Sequence, residues 1–195
     1  MANHVSGYVS LVGTSPAAQK VCDEYVVDKL NGHKKEGDWE VHLGHYLFEY
    51  DDGEFTNWDF DTMCEEVGAK WAYATDWDDT FVSVYSAWSP VVEWCEMIAL
   101  KMAQVCKEFQ IVFTYEDEMP NFVGVAVLDH TGLDMQVDLD GDELLQLILE
   151  SDSDLNEMYD HEAEEWKDGM EEDAYEILWE IQSDFIHDWQ QNQIS

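Results

Sequence analysis

Five carboxylates recur at intervals of four near the end of the chain: Glu172, Glu176, Glu180, Asp184 and Asp188. On a helix, neighbours in such a row stand ~6 Å apart along the axis, and each step turns the row by ~40°. Like charges four apart each cost a few tenths of a kcal/mol. Residues 168–195 hold no Lys or Arg to relieve them. A line of acids that local helix energetics disfavour points to chemistry outside the helix, namely contact with the Lys and Arg of a basic partner. Duplex DNA offers such a partner roughly one charge per ~1.7 Å of axis, both strands counted. Spaced carboxylates on a folded surface can imitate that array. The plain alternatives are a solvated face that keeps the protein soluble, or adaptation to salt.

Other clusters carry less. Asp51 and Asp52, and Asp76, Asp78 and Asp79, suit either weak Mg²⁺ binding or polar loops, and we count them with the phosphate-mimicking surface. Asp138, Asp140, Asp142 and Glu143 suggest a calcium loop. With Gly141 at the sixth position, however, Gln136 falls at the first and Leu147 at the twelfth, where the loop needs an acid at each. A strand-to-helix turn with Asp142 as N-cap is the better reading. His42 and His45 lack a nearby third ligand for zinc. Cys22, Cys64, Cys95 and Cys106 form no CxxC pair and read as reduced thiols, some of them in the core. No phosphate loop, nucleophile elbow or HExxH occurs. The expectation is a protein that is not an enzyme, with no catalytic residue, metal or cofactor.

The totals agree with that emphasis on charge. Forty-five Asp and Glu face eight Lys and no Arg, for a net charge of -37. Apolar residues make up 46%, enough to bury a core despite the self-repulsion. Such a charge repels nucleic acid and anionic membranes and draws basic surfaces in. Residues 1–35 carry three acids and four Lys, whereas residues 136–195 carry twenty acids and Lys167 alone. Apolar runs are far shorter than the ~20 residues that span a bilayer, and no secretory signal opens the chain. A cytoplasmic protein of a bacterial host cell, without direct nucleic-acid or membrane contact, is expected, and homo-oligomers stay open.

Elements follow from periodicity. Strands are expected over His4–Val12, His42–Tyr50, Lys70–Ala74, Thr80–Trp88, Phe109–Tyr115, Asn121–Leu128 and Met135–Leu139. Helices are expected from Pro16 to Leu30, ended by Asn31-Gly32, over Asp61–Val67, and from a Ser89-Pro90 cap to about Cys106. From Asp142 the pattern is helical to the end, with Tyr175, Leu178, Ile181, Phe185 and Trp189 as the docking stripe. This order predicts an α+β domain over residues 1–140 and an acidic helical extension over 141–195. Trp39, Trp58, Trp71, Trp77 and Trp88 crowd one span. Packing of the sheet and its loops is the commoner use of such residues, and exposed interface anchors are the alternative.

Two short pieces carry a family likeness: Gly68-Ala69-Lys70-Trp71 and Ala87-Trp88-Ser89-Pro90. With the helix that follows and the Phe109 to Gly124 strand pair, residues 1–140 resemble the YubB-type ferredoxin-like domain of plasmid- and phage-borne proteins. The resemblance implies a ferredoxin-like antiparallel sheet with helices on one face, and an origin in a mobile element. It brings no activity and no site residues. The expected function is therefore inhibition of a basic, nucleic-acid-binding host protein by mimicry, in restriction, CRISPR or another defence. The alternative is an acidic adaptor that binds a basic host protein away from its nucleic-acid site.

Overall fold

The computed structural model describes residues 3–46, 60–118, 121–151, 156–157, 159–160, 162–163, 165–167 and 171–193. Asp51, Asp52 and Trp58 lie outside them. The described chain is α+β and falls into two compact units. The first comprises Met1–Glu118 and Val125–Val137, the second Met119–Gly124 and Asp138–Ser195.

Strand β1 (His4–Gly13) alternates as the sequence predicts, with Val5, Val9 and Leu11 buried and His4, Ser6 and Tyr8 exposed. It is followed by α1 (Pro16–Cys22), whose N-cap Ser15 accepts a bond from the Ala18 amide at 3.2 Å, with Pro in the first turn. A π-helical turn (Asp23–Val27) leads without a break into α2 (Asp28–His33). The expected stop at Asn31-Gly32 is not used. Gly32 stays helical, and the run ends at Lys34 with extended backbone.

Of the strand expected over His42–Tyr50, β2 (Val41–His42) holds the start, Leu43–Tyr46 form a 3-10 turn, and residues 47–50 lie outside the described residues. Next come α3 (Phe60–Glu66), β3 (Ala72–Trp77), β4 (Phe81–Ala87) and α4 (Val92–Met102). Ser89 does not cap α4, since Val91 holds the N-cap position without a side-chain bond. Instead the Ser89 hydroxyl donates to the Gly68 carbonyl, and the Ser86 hydroxyl donates to the Ser89 carbonyl at 2.6 Å.

Strands β5 (Phe109–Asp117), β6 (Phe122–Asp129) and β7 (Gly132–Asp140) complete a seven-stranded sheet in the order β2-β3-β4-β1-β5-β6-β7. Antiparallel pairing holds β1 against β4 and β5, and β3 against β2 and β4. In the first unit α1 and α4 bury Ala18, Cys22, Trp94, Cys95 and Ile98, while the strands bury Val9, Leu11, Val82, Ile111 and Phe113. That is the core which the apolar content promised.

Helix α5 (Gly141–Ser151) opens on a capping box. The Asp140 carboxylate accepts the amides of Asp142 and Glu143, each at 3.0 Å, and Glu143 accepts the Asp140 amide at 3.0 Å. The N-cap is therefore Asp140 rather than Asp142: an oxygen must sit outside the first turn to reach its orphan amides. The stretch after α5 is not helical throughout. Strands β8 (Tyr159–Asp160) and β9 (Glu165–Trp166) pair as a hairpin before α6 (Glu171–Gln193).

Candidate partner-binding surface

Helix α6 presents the acid row. Glu176, Glu180, Asp184 and Asp188 are all exposed along it, and Glu172 lies in its first turn. The flank one residue further on is the one that packs. Ile177, Ile181, Phe185 and Ile186 lie against a small core of Val123, Leu144 and Ile148, within the same unit. Gln182 is buried beside them and donates from Nε2 to the Phe122 carbonyl at 3.3 Å. Ile181 and Phe185 were expected in the docking stripe. Ile177 was not, although it continues the same four-residue spacing. From Glu176 to Asp188 the row spans ~18 Å of helix.

The loop acids divide by what they touch. Asp78, at the β3–β4 turn, accepts the Thr80 amide and hydroxyl, both at 2.7 Å, and the Phe81 amide at 3.2 Å. Hydrogen bonds to Thr80 hold its carboxyl below the usual carboxylate range. Its oxygen builds the turn, as does that of Asp129, which accepts the Thr131 amide and hydroxyl at the β6–β7 turn. Asp76 and Asp79 are exposed, and the Asp79 carbonyl accepts from Gln19.

A second surface emerges from strand register. A bulge at Thr75 brings Asp76 opposite Ser83, so Asp76 joins the strand face that carries Tyr8, Phe81 and Tyr85. On that face Tyr8 stacks on Phe81 at 5.0 Å and Tyr73 on Tyr85 at 5.1 Å. The Trp39 ring lies parallel to Tyr85 at 6.4 Å. The Tyr85 hydroxyl donates to Glu40 at 2.7 Å, and burial, then Glu40, hold it protonated well above its ordinary value. Trp39 is 67% exposed and Tyr8 43%. Alternation made this legible: Tyr8 and Tyr85 stand out of phase with the buried Val9 and Val84.

The Gly-x-Lys-Trp and Ala-Trp-Ser-Pro pieces also meet. The Ala87 amide donates to the Trp71 carbonyl at 2.9 Å, and the exposed rings of Trp71 and Trp88 lie 5.3 Å apart. Trp88 has φ 69, a left-handed conformation costly for a bulky side chain. Of the clustered tryptophans, then, Trp39, Trp71 and Trp88 are exposed, and Trp77 is half-buried beneath Lys34, 4.4 Å from its ring.

No family model, curated protein or solved structure matches this chain. The expected YubB-type family therefore has no support from known proteins. No group of three metal-ligating side chains occurs among the described residues, nor is any described helix long and apolar enough to cross a membrane. All four cysteines are free, and burial pushes the Cys22 thiol up to about 11, so it is a poor nucleophile at neutral pH.

The histidines behave differently. His33 and His45 stack at 4.5 Å, and His42 meets Tyr73 edge-on at 4.7 Å. Burial, then the neighbouring His45, lowers His42 to about 4; burial, then His33 and Lys35, lowers His45 to about 4. The ordinary value is ~6.5, so below it the unfolded chain takes up protons that the folded one refuses. The stability these rings contribute is complete above pH ~6.5 and is lost as pH falls towards 4. Between pH 7 and 5 the loss through His42 comes to about 2 kcal/mol, with a smaller share from the more exposed His45. Urea midpoints should fall from pH 7 to 5, and the His42→Gln/His45→Gln variant should flatten that slope.

Proposed function

We propose that this chain is a non-enzymatic inhibitor that occupies the nucleic-acid-binding surface of a basic host protein by presenting carboxylates in place of phosphates. The observation that carries this reading is the row Glu176, Glu180, Asp184 and Asp188, exposed on a helix whose adjoining flank is packed. One strand of duplex DNA places a phosphate every ~3.4 Å of axis, so the row supplies about one carboxylate for every two phosphates. The second unit carries twenty acids against Lys167 alone. Residues 36–80 of the first unit are the other concentration, with fourteen acids against Lys70. A ferredoxin-like reading of the first unit is supported by the sheet order β3-β4-β1-β5, with helices after the first and third of those strands in the chain. Origin in a phage or plasmid rests on the two tryptophan-bearing pieces.

The test is retention of proteins from a bacterial lysate on the immobilised chain, eluted with a salt gradient and with duplex DNA. A partner released by moderate salt and displaced by DNA is expected. Retention that ignores salt, or a partner that holds DNA and this chain together, would favour the adaptor reading.

A further inference from the structure

The strand face bearing Tyr8, Tyr85 and Trp39 combines two properties that together select a ligand. Its rings are stacked in pairs and partly open to solvent. Carboxylates accompany them: Glu40 on the Tyr85 hydroxyl, Asp76 through the bulge, and Glu116 opposite Ser6. No lysine occurs in β1, β3, β4 or β5, and the one basic side chain of these strands, His4, lies against Glu118 at 3.7 Å, leaving Glu40, Asp76 and Glu116 without a strand lysine to balance them. Burial raises the pKa of the half-buried Glu116, a cost that an incoming cation would relieve.

Elsewhere the chain shows what such rings accept. Lys34 lies 4.4 Å from the Trp77 ring centre and Lys70 4.8 Å from that of Trp71, both within cation–π range. A guanidinium fits this mixture better than an ammonium. It stacks flat on an aromatic face while its N–H fork pairs with a carboxylate. The chain has no arginine of its own. Bases of single-stranded nucleic acid also stack on aromatic sheets, but their phosphates would meet Glu40, Asp76 and Glu116 without a lysine from these strands.

We infer that this sheet face is a second contact surface, which takes arginine side chains from an extended basic segment of a protein partner. The inference rests on the partner being basic, as in the reading above. It adds where arginine in particular is recognised.

Octa-arginine and octa-lysine peptides, titrated into the full chain at ~150 mM salt, test it by nitrogen–proton correlation spectra. The expected result is a saturable shift of the Trp39 indole signal with octa-arginine, at severalfold lower concentration than with octa-lysine. Followed instead on the backbone amide signals of β1 and β4, Trp39→Ala/Tyr8→Ser should weaken octa-arginine about tenfold while the spectrum of the rest of the fold is unchanged. Trp39→Phe, which keeps a ring, should restore part of the affinity. Shifts confined to α6 would overturn the inference, as would equal response to both peptides. So would saturation of the Trp39 signal by an oligouridine instead. None of these results touches the mimicry reading, which fails separately if DNA does not displace the lysate partner.

Discussion

Changing Glu176, Glu180, Asp184 and Asp188 to Lys should weaken partner binding by 100-fold or more and leave the fold intact. Under the proposed mimicry each substitution turns an attractive contact with the basic partner into a repulsive one, and like-charge juxtaposition costs several kcal/mol. The net charge moves only from -37 to -29 as four carboxylates become four ammonium groups. General acidity is thus nearly preserved, and a large loss must come from the row itself. All four side chains are exposed, and the substituted row repels itself about as much as the native one, so helix stability should change little. Affinity for the salt-eluted partner, with circular dichroism as the control on folding, decides the matter. An adaptor that docks through the first unit would keep its affinity within a few fold.

Gly13→Ala should cost about 3 kcal/mol or more, among the largest single effects available in the first unit. Gly13 closes β1 where the chain turns into α1, and its amide donates to the Gln19 side chain at 3.0 Å. A methyl group there would come 2.2 Å from the Gln19 amide nitrogen and 2.6 Å from the Ala18 carbonyl carbon. Both are backbone atoms of a helix anchored by buried Ala18 and Cys22, so neither can swing aside as a flexible side chain would. Gly32→Ala is the internal contrast. It sits inside α2 with nothing within 4 Å of the added carbon, and should stabilise by up to ~1 kcal/mol through helix propensity. Thermal denaturation of the two variants should move in opposite directions. A Gly13→Ala midpoint equal to wild type would show that the strand-to-helix join can yield.

The contrast between these glycines also shows what a sequence can disclose. Long periodic segments such as β1, β4, α4 and β5 are legible because ten or so residues repeat one phase against a core. Gly32 reads as a helix stop because its type suits a C-cap, whereas the run ends at Lys34. Hairpin β8–β9 has two residues per strand, too few to show alternation, and its formation depends on Trp166 reaching Tyr159 at 5.0 Å. Asp140 and Asp142 have the same chemistry, and only the position of the first helical turn decides which one caps. Within the candidate surface the acid row was visible as spacing. The pairing of Trp39 with Tyr85 was not, because forty-six residues separate them and strand register brings them together.

The π-helical turn between α1 and α2 has a geometric consequence of its own. Ala18, Cys22, Val26 and Leu30 are four apart and all fully buried, although on a regular α-helix such a series would drift by ~40° per step. The wider turn over Asp23–Val27 takes up that drift and keeps the series in one azimuth. Helix α6 has the same four-residue spacing in its acids without any such correction, so Glu176 and Asp188 end ~120° apart in azimuth. One repeat interval thus yields a straight seam at one end of the chain and a screw thread at the other. Whatever grips the thread must curve with it.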